Sequence, residues 1–122
     1  MNMQAERRRY IRFDIPLDVT FRPAEDGTPY SSGIIKNFSR DGCCIESKSL
    51  NMLLKENLEL RVKHPKKDAF IAAKGDIVWK QHLDGTWLAG VRILDMDKGA
   101  KSEILDLAYD IWLEKNIKSG SA

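Results

Sequence analysis

A chain of 122 residues has room for one hydrophobic core, and 43% hydrophobic against 31% charged residues excludes a disordered polymer. Twenty Lys and Arg against eighteen Asp and Glu leave a net charge of +2, so no basic surface spreads over the whole molecule and any electrostatic site must be local. The longest apolar runs are far below the roughly 18 residues of a membrane span, and MNMQAERRRY lacks the apolar stretch of a signal peptide. A cytoplasmic location with no direct membrane insertion is therefore expected.

In chain order, residues 1–15 read as a flexible basic arm, because Glu6-Arg7-Arg8-Arg9-Tyr10-Ile11-Arg12 gathers four of the eight arginines. Leu17 to Phe21 alternates as a half-buried strand, with Leu17, Val19 and Phe21 on one face. Glu25-Asp26-Gly27-Thr28-Pro29 turns the chain into a second strand, Gly33 to Phe38. After Ser39-Arg40-Asp41-Gly42 comes a third strand, Cys43 to Ser47, in which Cys43 and Ile45 share one face and Cys44 and Glu46 the other. Leu50 to Glu56 is expected to be a connective loop or a single helical turn. Leu58, Leu60 and Val62 alternate with charged residues in a fourth strand, and Ala69 to Trp79 and Thr86 to Leu94 form a hairpin around Asp84-Gly85. Six strands on short turns point to an antiparallel barrel or sandwich over residues 16–97. Ile104, Leu107, Ala108, Ile111 and Trp112 then recur at helical intervals, which predicts a C-terminal helix of four or five turns over 98–117, lying across the barrel or a partner, and a tail over 118–122. The whole is one domain.

Catalytic chemistry finds little support. His64, in a lysine-rich turn, and His82, in the hairpin connection, read as surface histidines without a Cys, Ser or carboxylate at catalytic spacing. Adjacent Cys43 and Cys44 point to opposite faces of a strand, so they form neither a disulfide framework nor a zinc site, and read as buried side chains rather than nucleophiles. No phosphate-binding loop or metal motif occurs, so a protein that is not an enzyme, with no metal and no cofactor, is expected. The arginine cluster is the local anomaly. A guanidinium fork meets phosphate oxygens or guanine O6 and N7 in bidentate fashion, which a lysine does not, although a solvated basic tail has the same composition.

Arg8-x-x-x-Arg12, followed after the first strand by Asn37-x-Ser39-x-x-Gly42, resembles the PilZ domain signature, RxxxR and then [D/N]xSxxG. Arg12-Phe13-Asp14-Ile15-Pro16-Leu17-Asp18-Val19 is similar to that family's arm entering its first strand. Gly75-Asp76-Ile77-Val78-Trp79 and Gly90-Val91-Arg92-Ile93 are similar to its G-x-V-x-W and G-V-x-F strands. The resemblance implies a six-stranded antiparallel barrel with an arm and a C-terminal helix, and a non-catalytic bacterial receptor for cyclic di-GMP. It implies that Arg8 and Arg12 use their forks on guanine edges and phosphates, with Arg7 and Arg9 adding contacts or attraction. Asn37 would accept from guanine N–H groups, Ser39 would bond base or phosphate, Gly42 would let the loop turn sharply, and Trp79 would stack on a guanine. Arm ordering would then signal to a downstream protein partner in motility, pilus, biofilm or exopolysaccharide control.

Each residue also has a purely structural account. Asn37, Ser39 and Gly42 suit a tight turn, Trp79 at the end of an apolar strand suits the core as well as a ligand surface, Tyr10 is similarly ambiguous, and Trp87 and Trp112 are assigned to packing. Asn37 stands where the resembled family often has Asp and so gives up charge-assisted bonds. Asp41 brings a carboxylate towards two phosphates unless it faces away or pairs with Arg40. Two other functions compete: a PilZ-like protein-interaction scaffold that does not bind the nucleotide, and a nucleic-acid binder, for which one basic cluster is too little, so no nucleic-acid partner is expected.

Overall fold

The alternation that marks the strands in the sequence reappears as alternating burial in the computed structural model, which describes residues 12–24 and 27–120, the last five of these by backbone alone. In β1 (Leu17–Pro23), Leu17, Val19 and Phe21 are buried and Asp18 is exposed. There follow β2 (Ser31–Phe38), β3 (Gly42–Ser47), β4 (Asn57–Lys63), β5 (Phe70–Leu83) and β6 (Thr86–Met96). All neighbours pair antiparallel in the closed order β1-β2-β3-β6-β5-β4, with β4 returning to β1 through Val62 opposite Val19. Between barrel and sandwich, the molecule is a barrel. Its interior is filled by Phe21, Ile35, Phe38, Leu58, Leu60 and Ile77, each contributing about 1.5–3 kcal/mol by leaving water.

The Asp84-Gly85 hairpin is as expected: both residues have positive φ, 53° and 75°, the backbone of a type I′ turn that matches strand twist. Leu50 to Glu56 does more than connect. Leu50 and Met52 enter the core, and the segment is tied to β5 by Lys55 N–H donating to the Ile77 carbonyl at 2.7 Å and Ile77 N–H donating to the Glu56 carbonyl.

Among the described residues, three bulges break the period of two. Lys36 is the extra residue in β2, Val78 in β5 and Leu94 in β6. Each reverses the phase of its strand, so a residue that simple alternation assigns to one face lands on the other.

The helix α1 (Lys98–Gly120) starts where Asp97 caps it, its Oδ2 accepting from Ala100 N–H at 2.8 Å. Its 23 residues make about six turns, more than the apolar stripe alone revealed. Ile104, Leu105 and Ala108 are buried against the barrel and Ile111 packs at the margin. Trp112, expected in packing, is instead 46% exposed: Ile111 packs at the margin of the core, and the next residue's indole stacks on Tyr109 at 5.9 Å. Trp87 does pack against the core and carries exposed His82 stacked on its ring at 4.6 Å. His64 is not a surface residue. Its loop folds back so that Nδ1 accepts from the Lys66 and Lys67 N–H groups at 3.0 and 3.1 Å, and α1 covers the ring with Glu103 Oε1 3.2 Å from Nε2, leaving the residue 5% exposed.

Candidate functional site

Four separated pieces of chain, at Arg12, Asn37 to Cys44, Val78-Trp79 and Gly90 to Arg92, surround a recess of about 210 Å³. Each is placed by a local cause. Arg12 is brought in by its neighbour: Phe13 exchanges both backbone hydrogen bonds with Phe38 at 2.9 Å, which fixes the chain beside the loop after β2. Phe38 anchors that loop by plugging its fully buried ring into the core. The Lys36 bulge keeps both Ile35 and Phe38 inward, and Asn37 between them lines the recess, half-buried.

Ser39 closes the loop. Its N–H donates to the Gly42 carbonyl at 2.9 Å and its hydroxyl donates to Asp41 Oδ1 at 2.7 Å, leaving the residue 2% exposed. Asp41 therefore pairs with Ser39 rather than Arg40, whose carbonyl accepts from Lys101 Nζ on α1 at 3.0 Å. Gly42 was expected to permit a sharp turn, but the positive-φ glycines among the described residues are Gly27 and Gly85. Gly42 is needed for space, since a Cβ there would collide with the Val91 carbonyl oxygen.

Trp79 is not a core residue. The Val78 bulge leaves two consecutive side chains outside the barrel, Val78 49% and Trp79 39% exposed, and the indole lies over Gly90, where a Cβ would overlap the ring. Gly90 thus works with Trp79 as its seat. Cys44 also lines the recess; burial is the main reason its thiol is raised above the ordinary range, with Arg12 pulling the other way. Cys43, inside the barrel, is pushed up to about 12 by burial and then by Cys44. Both thiols stay protonated near neutrality, the opposite of an activated nucleophile.

Arg92, which the sequence argument passed over as a site residue, forms the remaining wall, and it is paired with Asp76, passed over likewise. Arg92 donates from Nε to Asp76 Oδ1 at 3.2 Å and from Nη2 to Oδ2 at 2.7 Å. A charged residue in the apolar run Val91-Arg92-Ile93-Leu94 was the available signal. Arg7, Arg8, Arg9 and Tyr10 lie outside the described residues.

The PilZ domain family model matches the chain over residues 6–110, from the arginine cluster into α1. The chain belongs to the PilZ domain family. No curated protein matches it significantly. Among solved structures, the PilZ fold of this chain is similar to the inhibitor of motility MotI/DgrA of Bacillus subtilis, with a TM-score of 0.74 and 20% identity over 89% of this chain and 53% of that one. It is also similar to the PilZ domain of YcgR from Escherichia coli with c-di-GMP, at 0.70 and 14% identity over 95% of this chain and 99% of that one. The K. pneumonia MrkH–c-di-GMP complex gives 0.71 and 18% identity over 92% and 54%. At such identities the likeness is one of fold. This PilZ chain spans about half the length of MotI/DgrA and MrkH, and nearly all of the isolated YcgR domain.

Proposed function

We propose that this PilZ domain is a non-catalytic receptor for cyclic di-GMP, the dinucleotide that the YcgR and MrkH structures contain. One observation carries the proposal: Arg12, Asn37, Ser39, Gly42 and Trp79, scattered over the sequence, line one recess or its wall. Arg12 has no partner among the described residues, so its fork is available to phosphate or a guanine edge. Trp79 offers an exposed aromatic face for stacking. Asn37 supplies an amide oxygen for guanine N–H groups.

A recess of about 210 Å³ is small for a cyclic dinucleotide, since drug-sized ligands occupy roughly 300–1,000 Å³. The rest of the ligand falls to Arg7, Arg8 and Arg9, whose closure over it is the signal a downstream protein reads. Calorimetric titration with cyclic di-GMP, beside GTP and an Arg8→Ala, Arg12→Ala double variant, tests the site. Saturable binding abolished in the double variant is expected; absence of heat and of any melting shift at high micromolar ligand overturns the receptor. Protection of the arm from trypsin on ligand addition tests the closure, and unchanged cleavage refutes it.

The bond between Ser39 and Asp41 favours a second function, a protein-interaction scaffold, because it engages the loop's hydroxyl and leaves a carboxylate in the ligand's path. Failure to bind nucleotide, with the fold intact, is its expected result.

A further inference from the structure

Arg92 combines a fixed position with an unused end. The strand register sets it opposite Gly42 on one side and Asp76 on the other. Asp76 takes the side edge of the guanidinium, Nε and one proton of Nη2. The pair is anchored at its acidic end and open at its basic end, with side-chain exposures of 10% for Asp76 and 60% for Arg92. No other described residue bonds the guanidinium, so Nη1 and the outer proton of Nη2 form a second, end-on pair of donors at the edge of the recess. Gly42, lacking a side chain, adds no bulk beside that end.

Two parallel donors match two adjacent acceptors. Guanine presents O6 and N7 in that arrangement, whereas adenine replaces the O6 acceptor with an amino donor. A fork already held by a carboxylate gives up little further freedom when it engages. We propose that Arg92, oriented by Asp76, reads a guanine base in the recess and sets the preference for guanine over adenine. Arg92 is then a specificity-determining residue and Asp76 a positioning residue. The assignment rests on the cyclic dinucleotide function above and adds a contact outside the RxxxR and NxSxxG segments.

The test is titration of the full chain with cyclic di-GMP and cyclic di-AMP, comparing the parent with Arg92→Lys and Asp76→Asn, each checked for folding by thermal melting. Arg92→Lys keeps a cation beside Asp76 but removes the fork, so it preserves the fold and isolates the geometry. Expected is a tenfold or greater loss of cyclic di-GMP affinity in Arg92→Lys with cyclic di-AMP affinity unchanged, and a smaller loss of the same kind in Asp76→Asn. A parent that binds cyclic di-GMP while Arg92→Lys equals it overturns the role of Arg92 and leaves the receptor standing. Equal loss towards both dinucleotides overturns base reading, because a phosphate contact or a structural role acts on both alike. A parent that binds neither dinucleotide overturns the receptor, and Arg92's role with it.

Discussion

Two faces of this barrel carry arginines beside aromatic rings, and they differ in what engages those arginines. On the β1–β4–β5 side, Arg22 donates to Glu59 at 3.1 Å and lies 4.4 Å over the Tyr30 ring, whose hydroxyl also donates to Glu59. Arg61 stacks between Tyr30 and Phe70, at 5.6 and 5.2 Å. The recess there is similar in size, about 250 Å³, and holds Glu59, Asp95 and Asp97 against Arg61 and Lys74. On the β3–β5–β6 side, Arg12 has no carboxylate partner among the described residues, Arg92 has one edge free, and Trp79 faces outwards. Composition and volume do not separate the two faces. What separates them is how the guanidiniums are engaged: on one face Arg22 by Glu59 and Arg61 by two rings, on the other Arg92 along one edge and Arg12 by no described carboxylate.

The harshest way to break this contrast is Phe38→Ala. Removing a fully buried ring between Asn37 and Ser39 is expected to lower stability by about 3–5 kcal/mol and to abolish ligand binding, read by denaturant melts and titration. Arg12→Ala against Arg22→Ala sharpens it. The first is expected to weaken cyclic di-GMP binding by about 1.5–3 kcal/mol, at least tenfold, with the melt unchanged. The second should leave binding alone and reduce stability by about 0.5–1 kcal/mol, as partly exposed ion pairs do. Asp41→Ala removes a like charge from the recess and frees the Ser39 hydroxyl, so affinity should rise a few-fold; a fall would make Asp41 a ligand contact.

The smallest expected effect concerns pH and lies on the helix. Glu103 titrates below its ordinary value of 4.5, chiefly through the Lys67 hydrogen bond and further through His64, against an opposing effect of burial. A folded value below the unfolded one makes its contribution complete above pH 4.5 and lost as pH falls through the lowered value. The melting difference between the parent and Glu103→Gln should therefore shrink between roughly pH 7 and pH 3. A difference that is constant with pH would show that the carboxylate contributes nothing through its charge.

The fold was legible wherever alternation ran unbroken, as in Leu17-Val19-Phe21 and Leu58-Leu60-Val62, and wherever a turn had its own chemistry, as at Asp84-Gly85. It became illegible at the bulges. Counting back from the Asp84-Gly85 turn, where Leu83 faces Thr86 and Trp79 faces Gly90, sets Asp76 opposite Ile93. The extra residue Val78 shifts the register by one and puts Arg92 there instead, so the ion pair could not be found by counting. The same bulge turned Trp79 outwards, a choice that its apolar context left open. His64 and Trp112 were misplaced for a different reason: their burial depends on how far α1 reaches over the barrel, and a local pattern does not contain that distance. That Arg12, Asn37, Ser39 and Gly42 would lie near one another was legible because their spacing is short and their residue types are restrictive, and the structure brings them to one recess, although the reason for Gly42 there is crowding rather than turning.

Because β4 returns to β1, every strand of the barrel has a hydrogen-bonded neighbour on both sides. A protein that recognises this domain therefore finds backbone to extend only where a strand outruns its neighbour, as at residues 80–83 of β5, which pair with β6 but not with β4. Along the closed part of the ladder recognition passes through side chains. At its margin Phe13 lays a short piece of backbone against Phe38, immediately beside Arg12. Whatever displaces or secures that two-residue contact therefore moves or fixes Arg12 at the recess as well, so a few atoms of main chain outside the six strands control where that guanidinium stands.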